Sequence, residues 1–260
     1  MDPTTTTHTT RRVAALCALL PLLAACGQGS ERNGASPAGE VRTAMARGAN
    51  LVITTENGVR LRPADGDTVG VDRRIRGDWS HRGDTWVLDL TCSADADADT
   101  GAHDRRECPR MPEIDVPEDT SVSVTARNAG IDVAGIAGGL DLTTVNGDVT
   151  VTRSGEPGAA VRLSTRNGSI RAQAVRAGRL HADTVNGDVV LGCRTAPSRA
   201  TAATTNGSVR VTVPHDAPAY RVTATTDNGR PSVTIPTGGA ADDRRMTLTT
   251  VNGDVTAARD

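Results

Sequence analysis

The chain has 260 residues, 37% of them hydrophobic, and a formal net charge of −2. That mildly acidic balance argues against a nucleic-acid partner, because phosphate binding needs a basic surface. All the basic residues are Arg and Phe is absent; since Lys and Phe have AT-rich codons, this usage points to a high-GC bacterium such as an actinomycete.

At the N-terminus, Arg11 and Arg12 precede an uncharged run, Val13 to Ala25, built almost wholly of Val, Ala and Leu. It is too short to span a bilayer, which needs ~20 apolar residues, and it has the pattern of a secretory signal. It ends in Leu23, Ala24, Ala25 and Cys26, which resembles the bacterial lipobox. That resemblance implies cleavage before Cys26 and lipid on its thiol. Residues 1–25 are therefore expected to be a lipoprotein signal peptide, and Cys26 to hold the mature chain to the outer face of the cell membrane. Removing Asp2, Arg11 and Arg12 with the signal takes the charge from −2 to −3. Residues 26–48, rich in Gly, Ser, Ala, Glu and Arg without periodicity, are expected to be a flexible tether.

From Leu51 onward, short alternating segments bounded by Gly, Asp and Asn replace any helical spacing. Residues 49–112 are expected to form an N-terminal β region with a polar loop between Cys92 and Cys108. In an exported chain those two are the expected disulfide, worth roughly 3 kcal/mol for a loop of about 15 residues. Cys193 is left as a free, buried thiol, and no pair of cysteines has the spacing of a zinc site. Inside the loop, Asp95, Asp97, Asp99, His103 and Asp104 invite a calcium reading. Thr100 and Arg106 occupy places where a calcium loop wants Gly and an acid, so a solvated loop is the simpler expectation.

Residues 113–260 are governed by repetition. Asn-Gly recurs at Asn146-Gly147, Asn167-Gly168, Asn186-Gly187, Asn206-Gly207, Asn228-Gly229 and Asn252-Gly253, at intervals of 21, 19, 20, 22 and 24 residues. A period near 20 marks a repeat architecture. Thr144, Thr165, Thr184, Thr204, Thr226 and Thr250 each stand two residues before the asparagine. Four before it comes Leu142, Leu163, Ala182, Ala202, Ala224 or Leu248, and three after it Val149, Ile170, Val189, Val209 or Val255. The fifth copy departs, with Pro231 in the last of these places. Asn128, followed by Ala129 and Gly130, reads as a degenerate first copy. These positions fall on one face of a strand on each side of the Asn-Gly pair, which is expected to supply left-handed backbone that reverses the chain.

Two all-β architectures use this pattern. In a parallel β-solenoid each repeat is one coil and equivalent residues stack ~4.8 Å apart; in an antiparallel hairpin array or sandwich each Asn-Gly is a tight hairpin turn. The solenoid is favoured, because residues 113–260 hold only Tyr220 as an aromatic and a narrow interior can be filled by small aliphatics and threonine.

The segments LTTVNGDVTV, LSTRNGSIRA, ADTVNGDVVL, AATTNGSVRV and LTTVNGDVTA, with LVITTENGVRLRPADGD and EIDVPEDTSVSV upstream, are similar to the bacterial putative-adhesin β-strand-repeat family, a domain of unknown function. The resemblance covers roughly residues 50–260. It implies a β-solenoid outside the cell and brings no established activity, cofactor or catalytic residue.

Candidate chemistry is sparse. His81, His103, His181 and His215 are scattered, and no G-x-S-x-G occurs. Asp242 and Asp243 could mimic the paired acids of polysaccharide hydrolases, but they stand in a Gly- and Arg-rich stretch that reads as a loop. Trp79 and Trp86 near His81 could stack on a sugar or simply cap one end of the fold. Asp148, Asp188 and Asp254 follow Asn-Gly and could form an acidic stripe, interrupted by Ser169 and Ser208. The expectation is a non-catalytic envelope lipoprotein with no cofactor, metal or small-molecule substrate, attached to the membrane through Cys26 and presenting its repeats to a cell-wall or envelope protein partner. An enzyme acting on extracellular polysaccharide and an envelope sensor domain are the alternatives.

Overall fold

The structure, a computed structural model, describes residues 40–46, 48–72, 75, 77–91, 110–238 and 243–260. Cys26, Cys92, Cys108, Asp242 and the Asp95 to Asp104 loop lie outside these residues. Residues 37–260 form one compact unit, and its secondary structure among the described residues is all strand, in two sheets.

Each repeat gives one strand to each sheet. The residues before Asn-Gly enter a front sheet and those after it a back sheet. In chain order the pairs are β2 (Asn50–Thr54) with β3 (Val59–Pro63), β8 (Ser121–Thr125) with β9 (Ile131–Ala134), β10 (Leu140–Thr143) with β11 (Val149–Thr152), and β12 (Ala160–Ser164) with β13 (Ile170–Val175). They continue as β14 (Arg179–Asp183) with β15 (Val189–Cys193), β16 (Arg199–Ala203) with β17 (Val209–Val213), β18 (Arg221–Asn228) with β19 (Pro231–Val233), and β20 (Arg245–Asn252) with β21 (Val255–Arg259). Neighbouring coils pair in parallel and in register, as in Leu142↔Leu163, Leu163↔Ala182 and Ile170↔Val189. The parallel β-solenoid is therefore the fold, and the antiparallel hairpin array is excluded for the repeats.

The period of two explains the core. Leu142, Leu163, Ala182, Ala202 and Leu248 from the front sheet meet Val149, Ile170, Val189, Val209 and Val255 from the back sheet, and all are fully buried. The interior is filled mainly by aliphatic side chains, and Tyr220 is fully buried with them, its hydroxyl donating to the Pro197 carbonyl at 3.0 Å.

Three features differ from the sequence expectation. The solenoid does not start at residue 113: β2 pairs in parallel with β8, and β3 with β9, so residues 50–63 form a coil of the same stack. A further coil pairs outside it, made of β6 (Thr85–Asp89) in front and β7 (Glu113–Val116) behind. The expected tether also overlaps a strand. β1 (Glu40–Ala44) pairs antiparallel with β4 (Thr68–Asp72), which itself pairs antiparallel with β7, and Met45 and Ala49 are buried. The alternation Val41-Arg-Thr-Ala-Met45 is too short to register as a pattern among its Gly, Ala and Arg neighbours. β5 (Asp78–Arg82) makes an antiparallel edge on β6.

The third difference is the order of the coils. In space the back sheet runs β1-β4-β7-β3-β9-β11-β13-β15-β17-β21-β19 and the front sheet β18-β20-β16-β14-β12-β10-β8-β2-β6-β5. The last repeat of the chain is thus inserted between the fourth and the fifth, and the first coil, β2/β3, likewise lies between β6/β7 and β8/β9. This accounts for the deviant fifth copy. β18 and β19 are edge strands, where Pro231, with no N–H to donate, is tolerated, and where Val233 is left exposed.

Candidate functional site

The recurring residues converge on one edge of the solenoid, where the front strand hands over to the back strand. Asn167 donates from its side-chain Nδ2 to Asn146 Oδ1 at 2.8 Å, and the same bond links Asn186 to Asn167, Asn206 to Asn186, Asn252 to Asn206 and Asn228 to Asn252, at 2.8–2.9 Å. Beneath this exposed ladder runs a second. Each threonine two residues earlier turns inward and donates from Oγ1 to a backbone carbonyl of the adjoining coil. Thr165 bonds to Gly147, Thr184 to Gly168, Thr204 to Gly187, Thr250 to Gly207 and Thr226 to Gly253, at 2.8–2.9 Å, while Thr144 reaches Ala129 at 2.8 Å. Buried hydroxyls need such partners, and here the partner is always the next coil.

The glycines do more than reverse the chain. No asparagine of the series has left-handed backbone; the only non-glycine residues with positive φ among the described residues are Arg153 and Ala174. Gly187, Gly207 and Gly253 have φ of 148°, 154° and 142°, whereas Gly147, Gly168 and Gly229 have no positive φ. What the six share is crowding. A Cβ on any of them would lie within 3.0 Å of the backbone of the adjoining coil. Glycine is needed so that successive edges can stack at strand spacing, which also leaves the preceding carbonyl open to the threonine.

A third ladder stands two residues beyond the asparagine, and the coil order gives it sense. In space it reads Asp148, Ser169, Asp188, Ser208, Asp254, Arg230. The backbone N–H of Ser169 donates to Asp148 Oδ1 at 2.8 Å, that of Asp188 to Ser169 Oγ at 3.3 Å, that of Ser208 to Asp188 Oδ1 at 2.8 Å, that of Asp254 to Ser208 Oγ at 3.2 Å and that of Arg230 to Asp254 Oδ1 at 2.9 Å. Acids alternate with serines, so no two carboxylates are immediate neighbours, and the stripe ends on an arginine. Like charges on adjacent strands are destabilising, and the alternation avoids them. The serines that interrupt the acidic stripe in the sequence are the spacers that permit it in the fold.

Elsewhere the titratable groups are dispersed. On the outer front face His181 Nε2 lies 2.9 Å from Asp183 Oδ1, and Ser164 Oγ donates to Asp183 Oδ2 at 2.9 Å. The serine and the histidine both bond to the aspartate rather than to each other, so the imidazole is not placed to take the hydroxyl proton. Trp79 and Trp86 meet edge to face at 6.3 Å between centroids, and His81 lies 4.3 Å from Trp86. Both indoles are half-buried against the core, at the β5/β6 end of the front sheet. Asp243 is exposed. Cys193 is a free, buried thiol, whose pKa is pushed up to about 12 by burial. Burial also pushes Tyr220 up to about 12, against the opposing pull of Arg244. Among the described residues no group of three or more His, Cys, Asp or Glu could hold a metal ion.

These features define a class: a two-sheet parallel β-solenoid whose repeated polar residues bond coil to coil. The chain belongs to the family described as Toastrack DUF4097, which it matches over residues 36–258. No curated protein matches it. Among solved structures it is similar to a putative cell adhesion protein from Clostridium sporogenes, at 6% identity and a TM-score of 0.36 over 85% of this chain and 99% of that one. It is also similar to a putative adhesin from Bacteroides fragilis, at 13% identity and a TM-score of 0.37 over 85% and 96%.

Proposed function

We propose that the chain is a non-catalytic envelope lipoprotein that displays its solenoid as a binding surface of the adhesion type. The observation that carries this reading is the use to which the repeated side chains are put. The Asn, Thr and Asp/Ser ladders hold one coil to the next, so the residues the sequence repeats most faithfully build a scaffold, and the outward residues of the two sheets are left to meet a partner. Among the described residues the Ser164, Asp183 and His181 cluster has no bond from serine to histidine, the pairing a nucleophilic centre of that kind would use. The run from Val13 to Ala25 and the following Cys26 support export and anchoring by lipid.

The reading is tested by fractionating cells that express the full chain and its Cys26→Ala form, then using both to capture partners from intact envelopes. The native chain is expected in the membrane fraction and the variant in the medium, with both retaining the same envelope partner. If Cys26→Ala stays in the membrane fraction, the anchor is elsewhere. If neither form retains any envelope component, the display role fails.

A further inference from the structure

The edge opposite the Asn-Gly ladders, where the back strand returns to the front sheet, carries a row of arginines that takes no part in those ladders. Arg179, Arg199, Arg245 and Arg221 open four neighbouring front strands and are mutual register partners, Arg179↔Arg199, Arg199↔Arg245 and Arg245↔Arg221. All four are exposed, and none has an ion-pair or side-chain hydrogen-bond partner among the described residues. In parallel strands their Cα atoms are ~4.8 Å apart, so four like charges stand side by side on a chain whose net charge is negative. The row is invisible in sequence order, because Arg245 enters it only through the inserted coil.

Across the same corner lies a cavity of about 270 Å³ lined by Arg153, Ala174, Arg176 and Arg194. These arginines are also exposed and unpaired among the described residues. Its lining includes both non-glycine residues with left-handed backbone, Arg153 at φ 49° and Ala174 at φ 54°. Left-handed backbone at such residues is costly and is kept where the surroundings require it. Arg176 and Arg179 are three residues apart, so the cavity and the row flank one corner.

We infer that this basic edge binds an acidic polysaccharide, a linear glycan carrying carboxylates and free hydroxyls, as the partner of the display surface proposed above. Two residues beyond the row on the same outward face stand Thr201, Thr247 and Thr223, again in register. Each of these coils therefore offers one guanidinium fork for an anion and one neutral hydroxyl. A polymer with both groups in each unit matches that pairing better than a hydroxyl-free polyanion does. Nucleic acid is disfavoured because no aromatic platform for bases accompanies the arginines.

The inference rests on the display reading and is tested so that the two can fail separately. The Cys26→Ala form, which carries no lipid and needs no detergent, is measured against polygalacturonate, neutral dextran, inorganic polyphosphate and phosphatidylglycerol vesicles, and separately against intact envelopes. Polygalacturonate should bind, dextran should not, and polyphosphate and vesicles should bind more weakly than polygalacturonate. Arg199→Gln with Arg245→Gln should weaken binding about tenfold and lower the log–log salt slope by about 2, whereas Arg166→Gln with Arg210→Gln, an equal loss of charge on other surfaces, should change it less than about twofold. Thermal melts confirm folding of both double variants, and Arg176→Gln with Arg194→Gln provides an independent pair if the first does not fold. Equal losses in row and control pairs, or tighter binding to polyphosphate or vesicles, would overturn the inference. Envelope binding that the row variants keep in full would sink the inference and leave display standing; no binding to envelopes or glycan would sink both.

Discussion

Gly168→Ala separates two reasons for a repeated glycine. If Asn-Gly served to place left-handed backbone at a turn, Gly168 would be replaceable, because its φ lies outside the left-handed region. The stacked edge predicts the reverse. An added Cβ would overlap the Gly147 carbonyl and come to 3.0 Å from Asp148 N, and relief requires the two coils to separate locally. Two bonds span that contact, Gly147 N–H to Asn167 O at 3.0 Å and Thr165 Oγ1 to Gly147 O at 2.9 Å. Each contributes about 1 kcal/mol net, and overpacking adds about 1–3 kcal/mol, so the expected loss is about 3–5 kcal/mol. For a folded unit of this size that lowers the melting temperature by roughly 10 °C. The control is Gly158→Ala, where nothing lies within 4 Å of the new methyl, and the change should be neutral or slightly stabilising. Urea and thermal unfolding followed by circular dichroism measure both. A Gly168→Ala protein as stable as the Gly158→Ala protein would refute the close-stacking account.

The solenoid was legible in the sequence because its causes are local and repeated. Thr184, Asn186 and Val189 recur at fixed offsets in their neighbours, and the inward face follows from the period of two. The order of the coils was not legible, because each repeat carries the same pairing signals. Nothing in the residues around Asn228 or Asn252 states which of them stacks on Asn206. Only the departure of the fifth copy hinted at it, since Pro231 suits an edge and not the middle of a sheet. The candidate surface was hidden for the same reason. Arg199 and Arg245 are 46 residues apart in the chain and become neighbours through the insertion, and the alternation of Asp148, Ser169, Asp188, Ser208 and Asp254 is broken in sequence order by Arg230. The crowding at the glycines was not legible, because contact with another coil leaves no local trace, whereas Asn-Gly is a strong local signal for a turn.

Three further measurements follow from these contacts. Cysteines at Thr201 and Thr247, register partners on neighbouring strands, should form a disulfide readily, while Thr201→Cys with Thr223→Cys, two coils apart, should not; peptide mapping giving the opposite result would overturn the inserted coil. Ser208→Asp would put three carboxylates on successive coils, so it should cost about 1 kcal/mol at low salt and recover as salt screens the repulsion; a loss independent of salt would show that the serine spaces hydrogen bonds rather than charges. Cys193 gives the pH dependence. Its thiol ionises at about 12 in the folded chain against 9.0 for the ordinary group, because burial disfavours the thiolate. The unfolded chain therefore releases this proton first as pH rises. The folded state keeps its full advantage below about pH 9, then loses about 1.4 kcal/mol per pH unit until the folded thiol itself ionises. Tyr220, raised from 10.0 to about 12 by the same cause, adds a second decline beginning near pH 10. Urea melts from pH 8 to 10.5 should show the native chain losing about 2 kcal/mol more than Cys193→Ala over that range, with the tyrosine contribution nearly the same in both, since burial rather than Cys193 is the main cause of its shift. Parallel curves would mean that water reaches the thiol and that the solenoid interior at β15 is not closed.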